Sequence, residues 1–196
     1  MMDGSPVDSF GCTVRQRHLS LREAGVVIDE IKKSPKITGY NKVEWTRTKT
    51  TFVAEGRGGE LSGVCLVDDF HRTWAEIAVV YVLPQYRRAG IGRSLIEAAH
   101  ASIRQRGKNT LIFFSEPVVR NIVVDLGFKT SSGLTRLSEE LKQERWILRH
   151  YYPVRWLSNP FRIKEIIRKK FVFDMDLNFE CAASLAVRNA PRIVLA

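Results

Sequence analysis

Between residues 82 and 94 an apolar run stops at a proline, turns through glycines two positions apart, and passes straight into an amphipathic segment. The stretch reads Val82, Leu83, Pro84, Gln85, Tyr86, Arg87, Arg88, Ala89, Gly90, Ile91, Gly92, Arg93, Ser94. Ile77 to Val82 is apolar at every position, as in a strand covered on both faces. Leu95, Ile96, Ala99 and Ile103 then recur on one side of a helix expected from about Gly92 to Arg106. Such a junction turns several backbone N–H groups toward one point at the positive end of a helix dipole, which suits a pyrophosphate. Glycine belongs there because a Cβ would hold the phosphate off the backbone. Arg87, Arg88 and Arg93 flank the turn. A bare Gly-x-Gly also fits a tight loop that binds nothing. The segment is not the dinucleotide fingerprint, since no third glycine follows three residues after Gly92, and it lacks the Gly-Lys-Ser/Thr ending of a P-loop.

The surrounding pattern alternates strands and helices. Phe10 to Leu19 reads as a first strand, and Ser20 with Glu23 forms a capping box that opens a helix carrying Leu21, Ala24, Ile28 and Ile31. Ser34-Pro35 ends it, and the stretch from Pro35 to Thr48 is irregular. Thr50 to Glu55 and Leu61 to Asp68 read as a hairpin about the turn Gly56, Arg57, Gly58, Gly59, and Trp74 to Leu83 as a third strand. Leu111 to Ser115 is a short buried strand, Pro117 opens the next helix, and Gly127 supplies its left-handed exit. Two successive crossovers of this kind predict an α/β sheet with helices on its faces.

After Phe128 the expectations are a short helix around Leu137 to Gln143, a strand from Arg145 to Tyr152, and a helix opened by Ser158-Asn159-Pro160. Phe161, Ile163, Ile166, Ile167 and Phe171 should form its inner face, with Arg162, Lys164, Arg168, Lys169 and Lys170 outside. Phe171, Phe173, Met175, Leu177, Phe179 and Cys181 alternate with other residues as in a half-buried strand. The expected division is a domain of residues 1–152 and a basic extension, residues 153–196, packed on the core or on a partner subunit. A homodimer is one way to cover it.

Composition narrows the function classes. With 196 residues, 44% hydrophobic and 27% charged, the chain matches an ordinary folded domain rather than a disordered one. The 31 basic against 21 acidic residues leave a net charge of +10, which suits nucleic acid, a phosphate-bearing cofactor or an anionic surface. Cys12, Cys65 and Cys181 show neither zinc nor redox spacing, so a reducing, cytoplasmic setting is expected. No run approaches the ~20 apolar residues of a membrane span, and no leader pattern opens the chain. His71, His100 and His150 have no i, i+4 partner among the histidines, so no metal site is expected. A serine hydrolase is unsupported, as there is no Gly-x-Ser-x-Gly elbow.

Arg87, Gly90 and Gly92 fit the pattern Arg/Gln-x-x-Gly-x-Gly/Ala, with Val82 and Pro84 ahead of it and Leu126, Gly127, Phe128 closing a later helix. In these features the sequence resembles the GNAT superfamily of N-acetyltransferases over about residues 10 to 130. The resemblance implies a GNAT-like α/β fold, a mixed, twisted central sheet flanked by helices on both faces, here with a C-terminal helix-plus-strand extension. It implies transfer of an acetyl group from acetyl-CoA, as co-substrate and without a metal, to an amine that attacks directly. Tyr81 and Val82 would supply backbone groups for the pantetheine arm and the oxyanion. Arg87, Arg88, Ala89, Gly90, Ile91, Gly92, Arg93 and Ser94 would hold the pyrophosphate.

Glu76 is the candidate base, an acid in an otherwise apolar strand where burial raises proton affinity, placed as in the family's histone-acetylating branch. The other reading of Glu76 is a carboxylate paired with a nearby arginine at the sheet end. Two positions depart from the family. Val123 stands where many members carry the tyrosine that protonates the leaving thiolate, and Glu116 where an asparagine often begins the helix. Ser115 or Tyr151 are substitutes for the acid. The departures keep a second reading open, a non-catalytic domain that binds acyl-CoA or nucleic acid as sensor or adaptor. Candidate acceptors are polyamine-like cations, peptide amines and aminoacyl groups, with nucleic acid a possible partner through the basic C-terminal part.

Overall fold

The computed structural model describes residues 11–35, 37, 39–132, 146–157, 160–173 and 179–186. One seven-stranded mixed sheet, in the order β1-β2-β3-β4-β5-β7-β6, organises them. Its strands are β1 (Thr13–Gln16), β2 (Thr50–Glu55), β3 (Leu61–His71), β4 (Trp74–Val82), β5 (Asn109–Phe114), β6 (Lys129–Ser131) and β7 (Glu180–Ser184). The helices are α1 (Leu21–Lys33), α2 (Ile91–Gln105), α3 (Pro117–Asp125), α4 (Tyr152–Leu157) and α5 (Pro160–Phe173). This is the α/β architecture that the alternation of elements predicts.

Local chemistry explains where the first elements begin and end. The Ser20 side chain accepts from the Glu23 N–H while the Glu23 carboxylate accepts from the Ser20 N–H at 2.8 Å, so two of the free donors of α1 are satisfied. Arg17 adds a fork to the Glu23 carboxylate and a bond to Glu55, tying the start of α1 to β2. β2 and β3 pair as an antiparallel hairpin, and β3 pairs with β4 through Gly63 and Val82. β4 and β5 are parallel, joined by the crossover helix α2.

The core lies on both faces. Ile91, Leu95, Ile96, Ala99 and Ile103 of α2 pack with Ala75, Ile77 and Ile112. Ala24, Val27 and Ile31 of α1 pack on the other face with Val64, Leu66, Val79 and Tyr81. The register slips where Ile77 pairs with Val67 and Val79 pairs with Leu66, which leaves Ala78 as the extra residue of a bulge. Without it Glu76 and Val79 would lie on opposite faces.

Three expectations about the C-terminal part are overturned. Trp146 to Leu157 is helical, a wide turn over Ile147–Tyr151 running into α4, where a strand was expected from Arg145 to Tyr152. The place beside β5 that such a strand would take is filled by β7, whose small residues Ala182 and Ala183 are buried in the sheet, and Leu148 packs nearby with Trp74 and Leu111. The alternation from Phe171 to Cys181 does not mark one strand either: α5 runs to Phe173 and β7 begins only at Glu180. The helix expected around 137–143 lies outside the described residues.

The third correction concerns α5 itself, which buries Arg162, Glu165 and Lys169 and exposes Ile163, Ile167 and Phe171. The inner face is polar because of what it meets. Arg162 reaches Asp68, Arg168 holds Glu165, and Lys169 donates to carbonyls at the end of α1. Each buried charge has a partner, so burial of this face costs less than hydropathy alone suggests.

Candidate active site

β4 and β5 pair only from Trp74/Asn109 to Ile77/Ile112. Beyond that point β4 continues to Val82 and β5 to Phe114 without pairing to each other, so a gap opens between two central strands. Leu83 donates its N–H to Ser62 of β3 at 3.0 Å. By the alternation of an antiparallel ladder, Tyr81 and Val79 also turn their N–H groups to β3, while Val80 and Val82 turn theirs into the gap. Of the two oxyanion donors expected from the sequence, Tyr81 is therefore committed to the sheet through its backbone, and Val82 faces the opening.

The turn that follows brings α2 to the end of β4. Pro84–Tyr86 forms a short helical turn, Arg88 and Gly90 take left-handed backbone conformations with φ of 65° and 83°, and Gly90 caps α2. At Gly90 the positive φ makes glycine the natural occupant. Among the described residues the N–H groups of Arg88, Ala89, Gly90, Ile91 and Gly92 have no backbone acceptor, whereas those of Arg93 and Ser94 donate to the Gly90 carbonyl. A Cβ on Gly92 would meet only Val82, at 3.8 Å. Protein packing thus does not call for glycine there. A ligand pressed against the first turn of α2 would, and this is the fit expected of a pyrophosphate cradle.

The arginines around this turn divide by role. Arg87 spends its Nε on the Val82 carbonyl at 3.1 Å and one terminal nitrogen on the Tyr81 hydroxyl at 3.3 Å, with its guanidinium 5.5 Å above the Tyr81 ring. It locks the turn to the strand. Tyr81 passes the connection on, donating to Glu30 of α1 at 3.2 Å. Arg93 pairs with Asp125 and, at 3.6 Å, with Glu97. Arg88 is exposed and has no ion-pair partner among the described residues, so its charge stands available beside the free amides. Ala89 and Ile91 are buried and anchor the turn in the core.

Glu76 lies one pair before the strands separate, opposite Leu111 in β5 and Asp68 in β3, and it is buried. Around it the structure assembles residues that sequence reasoning missed: Tyr40, Glu44, Lys49, Asp68 and, from α5, Arg162. Lys49 and Arg162 both bond to Asp68, the latter at 3.1 Å. Arg162 also lies 4.0 Å from Glu44 and 4.3 Å above the Tyr40 ring. Burial works against ionisation of Asp68, but the hydrogen bond from Lys49 and the charge of Arg162 outweigh it and hold the carboxyl below its ordinary range. Burial, with the charge of Glu76 second, pushes the Tyr40 phenol well above its ordinary range. Asp68 interrupts an apolar strand just as Glu76 does, and that was the one available sequence signal.

Val123, at the position of the family's usual tyrosine, is fully buried in the main core, so it presents no acid to the gap. Ser115 follows β5 directly; the Tyr151 side chain lies outside the described residues. No helix among the described residues is long and apolar enough to cross a membrane, and no group of three or more His, Cys, Asp or Glu among them is placed to hold a metal ion.

Residues 47–130 match the model of the acetyltransferase (GNAT) domain. Among solved structures, a Mycobacterium tuberculosis protein in complex with CoA is similar at 15% identity and a TM-score of 0.59, over 89% of this chain and 99% of that one. The N-acetylglutamate synthase of Neisseria gonorrhoeae, complexed with coenzyme A and N-acetyl-glutamate, is similar at 16% identity and a TM-score of 0.56 over 88% of this chain. The match spans only 34% of that synthase. The spermidine/spermine N-acetyltransferase of Vibrio cholerae is similar at 14% identity and a TM-score of 0.52, over 64% of this chain and 85% of its own. No curated protein matches the sequence. Identities this low speak for the fold, and the family match speaks for the strand, turn and helix that form the cradle. Residues 47–130 thus match a GNAT acetyltransferase domain, and the separated strands and the amide-lined turn lie within that stretch.

Proposed function

We propose that the protein transfers an acetyl group from acetyl-CoA to an amine by direct attack. The observation that carries this reading is the pairing of a gap between β4 and β5 with a ring of free amides at the start of α2. A long donor with a doubly phosphorylated linker fits both parts at once. The amides from Arg88 to Gly92, at the positive end of α2, bind the pyrophosphate, and Arg88 adds a charge. The N–H groups of Val80 and Val82 serve the pantetheine arm and the thioester carbonyl oxygen, one each, the latter as negative charge develops on it. Glu76, buried where the strands part, takes the proton that the attacking ammonium must lose.

The acceptor is an amine whose pocket is lined by the stretch 35–48 and the C-terminal elements, which meet beside Glu76 through Arg162, Glu44 and Tyr40. Ser115 or Tyr151 would stand in for the missing tyrosine, and a thiolate leaves readily enough that transfer proceeds without a strong acid. The competing reading is an acyl-CoA-binding adaptor, and buried Val123 is what favours it.

Release of free thiol from acetyl-CoA, measured with spermidine, L-glutamate and a lysine-containing peptide as acceptors, separates the two. Turnover that falls at least about 100-fold in Glu76→Gln, with acetyl-CoA affinity kept, supports catalysis with Glu76 as base. Tight binding with no thiol release above that variant with any amine supports the adaptor.

A further inference from the structure

Asp68 and Glu76 are direct cross-strand partners, and both carboxylates are buried. Side chains so placed start from Cβ atoms ~5 Å apart, and two carboxylates at that separation in a dry site do not both ionise without help. Help comes from two cations. Lys49 follows the connection that leads into β2 and bonds to Asp68; Arg162 arrives from α5, 94 positions along the chain, and bonds to its other oxygen.

The groups that face this site come from every element around it. The connection before β2 contributes Tyr40, Glu44 and Lys49, β3 contributes Asp68, α5 contributes Arg162, and β5 presents apolar Leu111. Glu165, one turn beyond Arg162, is engaged by Arg168. Three buried carboxylates, Glu44, Asp68 and Glu76, are thus balanced by Lys49 and Arg162. Among the described residues named here, taking Arg162 away leaves Lys49 facing the three acids.

We propose that Arg162 is a positioning residue for acetyl transfer: fixed on Asp68, it offsets the carboxylate beside Glu76 and so keeps Glu76 free of its proton, ready to accept one, near neutral pH. The charges of Glu76 and Asp68 in turn favour the guanidinium against the burial it suffers. The proposal rests on the reading of Glu76 as the base, and it gives the C-terminal extension a part in the reaction that packing alone would not.

The test reads Glu76 directly, without an acceptor. Carboxyl carbons of 13C-glutamate-labelled full-length protein are titrated by NMR, with the Glu76 signal assigned by its loss in Glu76→Gln. In Arg162→Met the Glu76 midpoint should rise by about one pH unit or more, since a unit charge at this range in a partly dry site is worth that much. Arg162→Lys should bring it back to within a few tenths of wild type, and Asp68→Asn, which removes the neighbouring negative charge, should lower it. A midpoint unmoved in Arg162→Met overturns the proposal. If that variant does not fold, a midpoint in Asp68→Asn that stays put or rises does the same. The thiol assay with Glu76→Gln judges the base itself: full activity there removes the reading beneath the proposal, whereas inactive Glu76→Gln with an unmoved midpoint removes Arg162 alone.

Discussion

Lys169 donates a hydrogen bond at 2.8 Å to the carbonyl of Ile31, 138 positions earlier in the chain. The same amino group donates to the carbonyls of Ser34 and Ile37. These oxygens lie at and just beyond the end of α1, where the dipole is negative; the Ile31 carbonyl accepts from the Ser34 N–H, and a buried cation from α5 completes the cap. Burial pulls the amino group down to about 8, still protonated at neutral pH.

Lys169→Met should therefore cost about 2–3 kcal/mol, the range for hydrogen bonds to a charged group left unmade. Ile167→Gln, on the exposed side of the same helix at 52% accessibility, should change stability by no more than about 0.5 kcal/mol. Urea melts decide the comparison. A larger loss for Ile167→Gln would mean that α5 buries its apolar side after all.

Around the cradle, charge and backbone separate cleanly. Arg88→Gly removes a cation while relieving a left-handed backbone at φ 65°, so stability should stay within about 1 kcal/mol of wild type while CoA affinity drops. Gly92→Asp sets a carboxylate against the free amides without a protein clash, and it should abolish the thermal shift produced by CoA in a protein that remains folded. Equal CoA-induced shifts in wild type and Gly92→Asp would show that the turn holds no pyrophosphate.

Restoring the family's tyrosine should not restore an acid. Val123 has 0% accessibility within the main core, and a ring forced into that space should cost about 1–3 kcal/mol. Val123→Tyr is expected to melt lower and to release thiol no faster. A faster variant would show that the site accepts an acid from α3.

The acid side of the stability curve should carry the mark of His100. Its Nδ1 lies 2.9 Å from the Thr110 hydroxyl, its ring packs 4.6 Å from Phe128, and burial holds the imidazole down to about 4, below the ordinary 6.5. Between these values the unfolded chain binds more protons than the folded one. The stability of the neutral imidazole is complete above pH 6.5 and lost as the pH falls toward 4. His100→Gln should flatten the decline in melting temperature across that window, and parallel curves for the two proteins would contradict the assignment.

Where structure depended on neighbours in the chain, the sequence was a sufficient guide. The capping box of Ser20 and Glu23, the hairpin of β2 and β3, Pro117 at the head of α3 and the glycine turn before α2 each answer to hydrogen bonds or backbone angles set within a few residues. The turn into α2 was legible for the same reason, since its amides, its glycines and its helix belong to one continuous segment.

Tertiary structure decided the rest. Hydropathy placed Ile163, Ile167 and Phe171 inside, yet which side of α5 is buried depends on Asp68 and the carbonyls at the end of α1, and pairing with those groups stabilises a polar face that no local pattern reveals. The place of β7 between β5 and β6 is likewise a matter of long-range pairing. The surroundings of Glu76 follow from both: the sequence marked an acid in an apolar strand, and only the fold could bring Tyr40, Asp68 and Arg162 to it, because charges act through space and not along the chain.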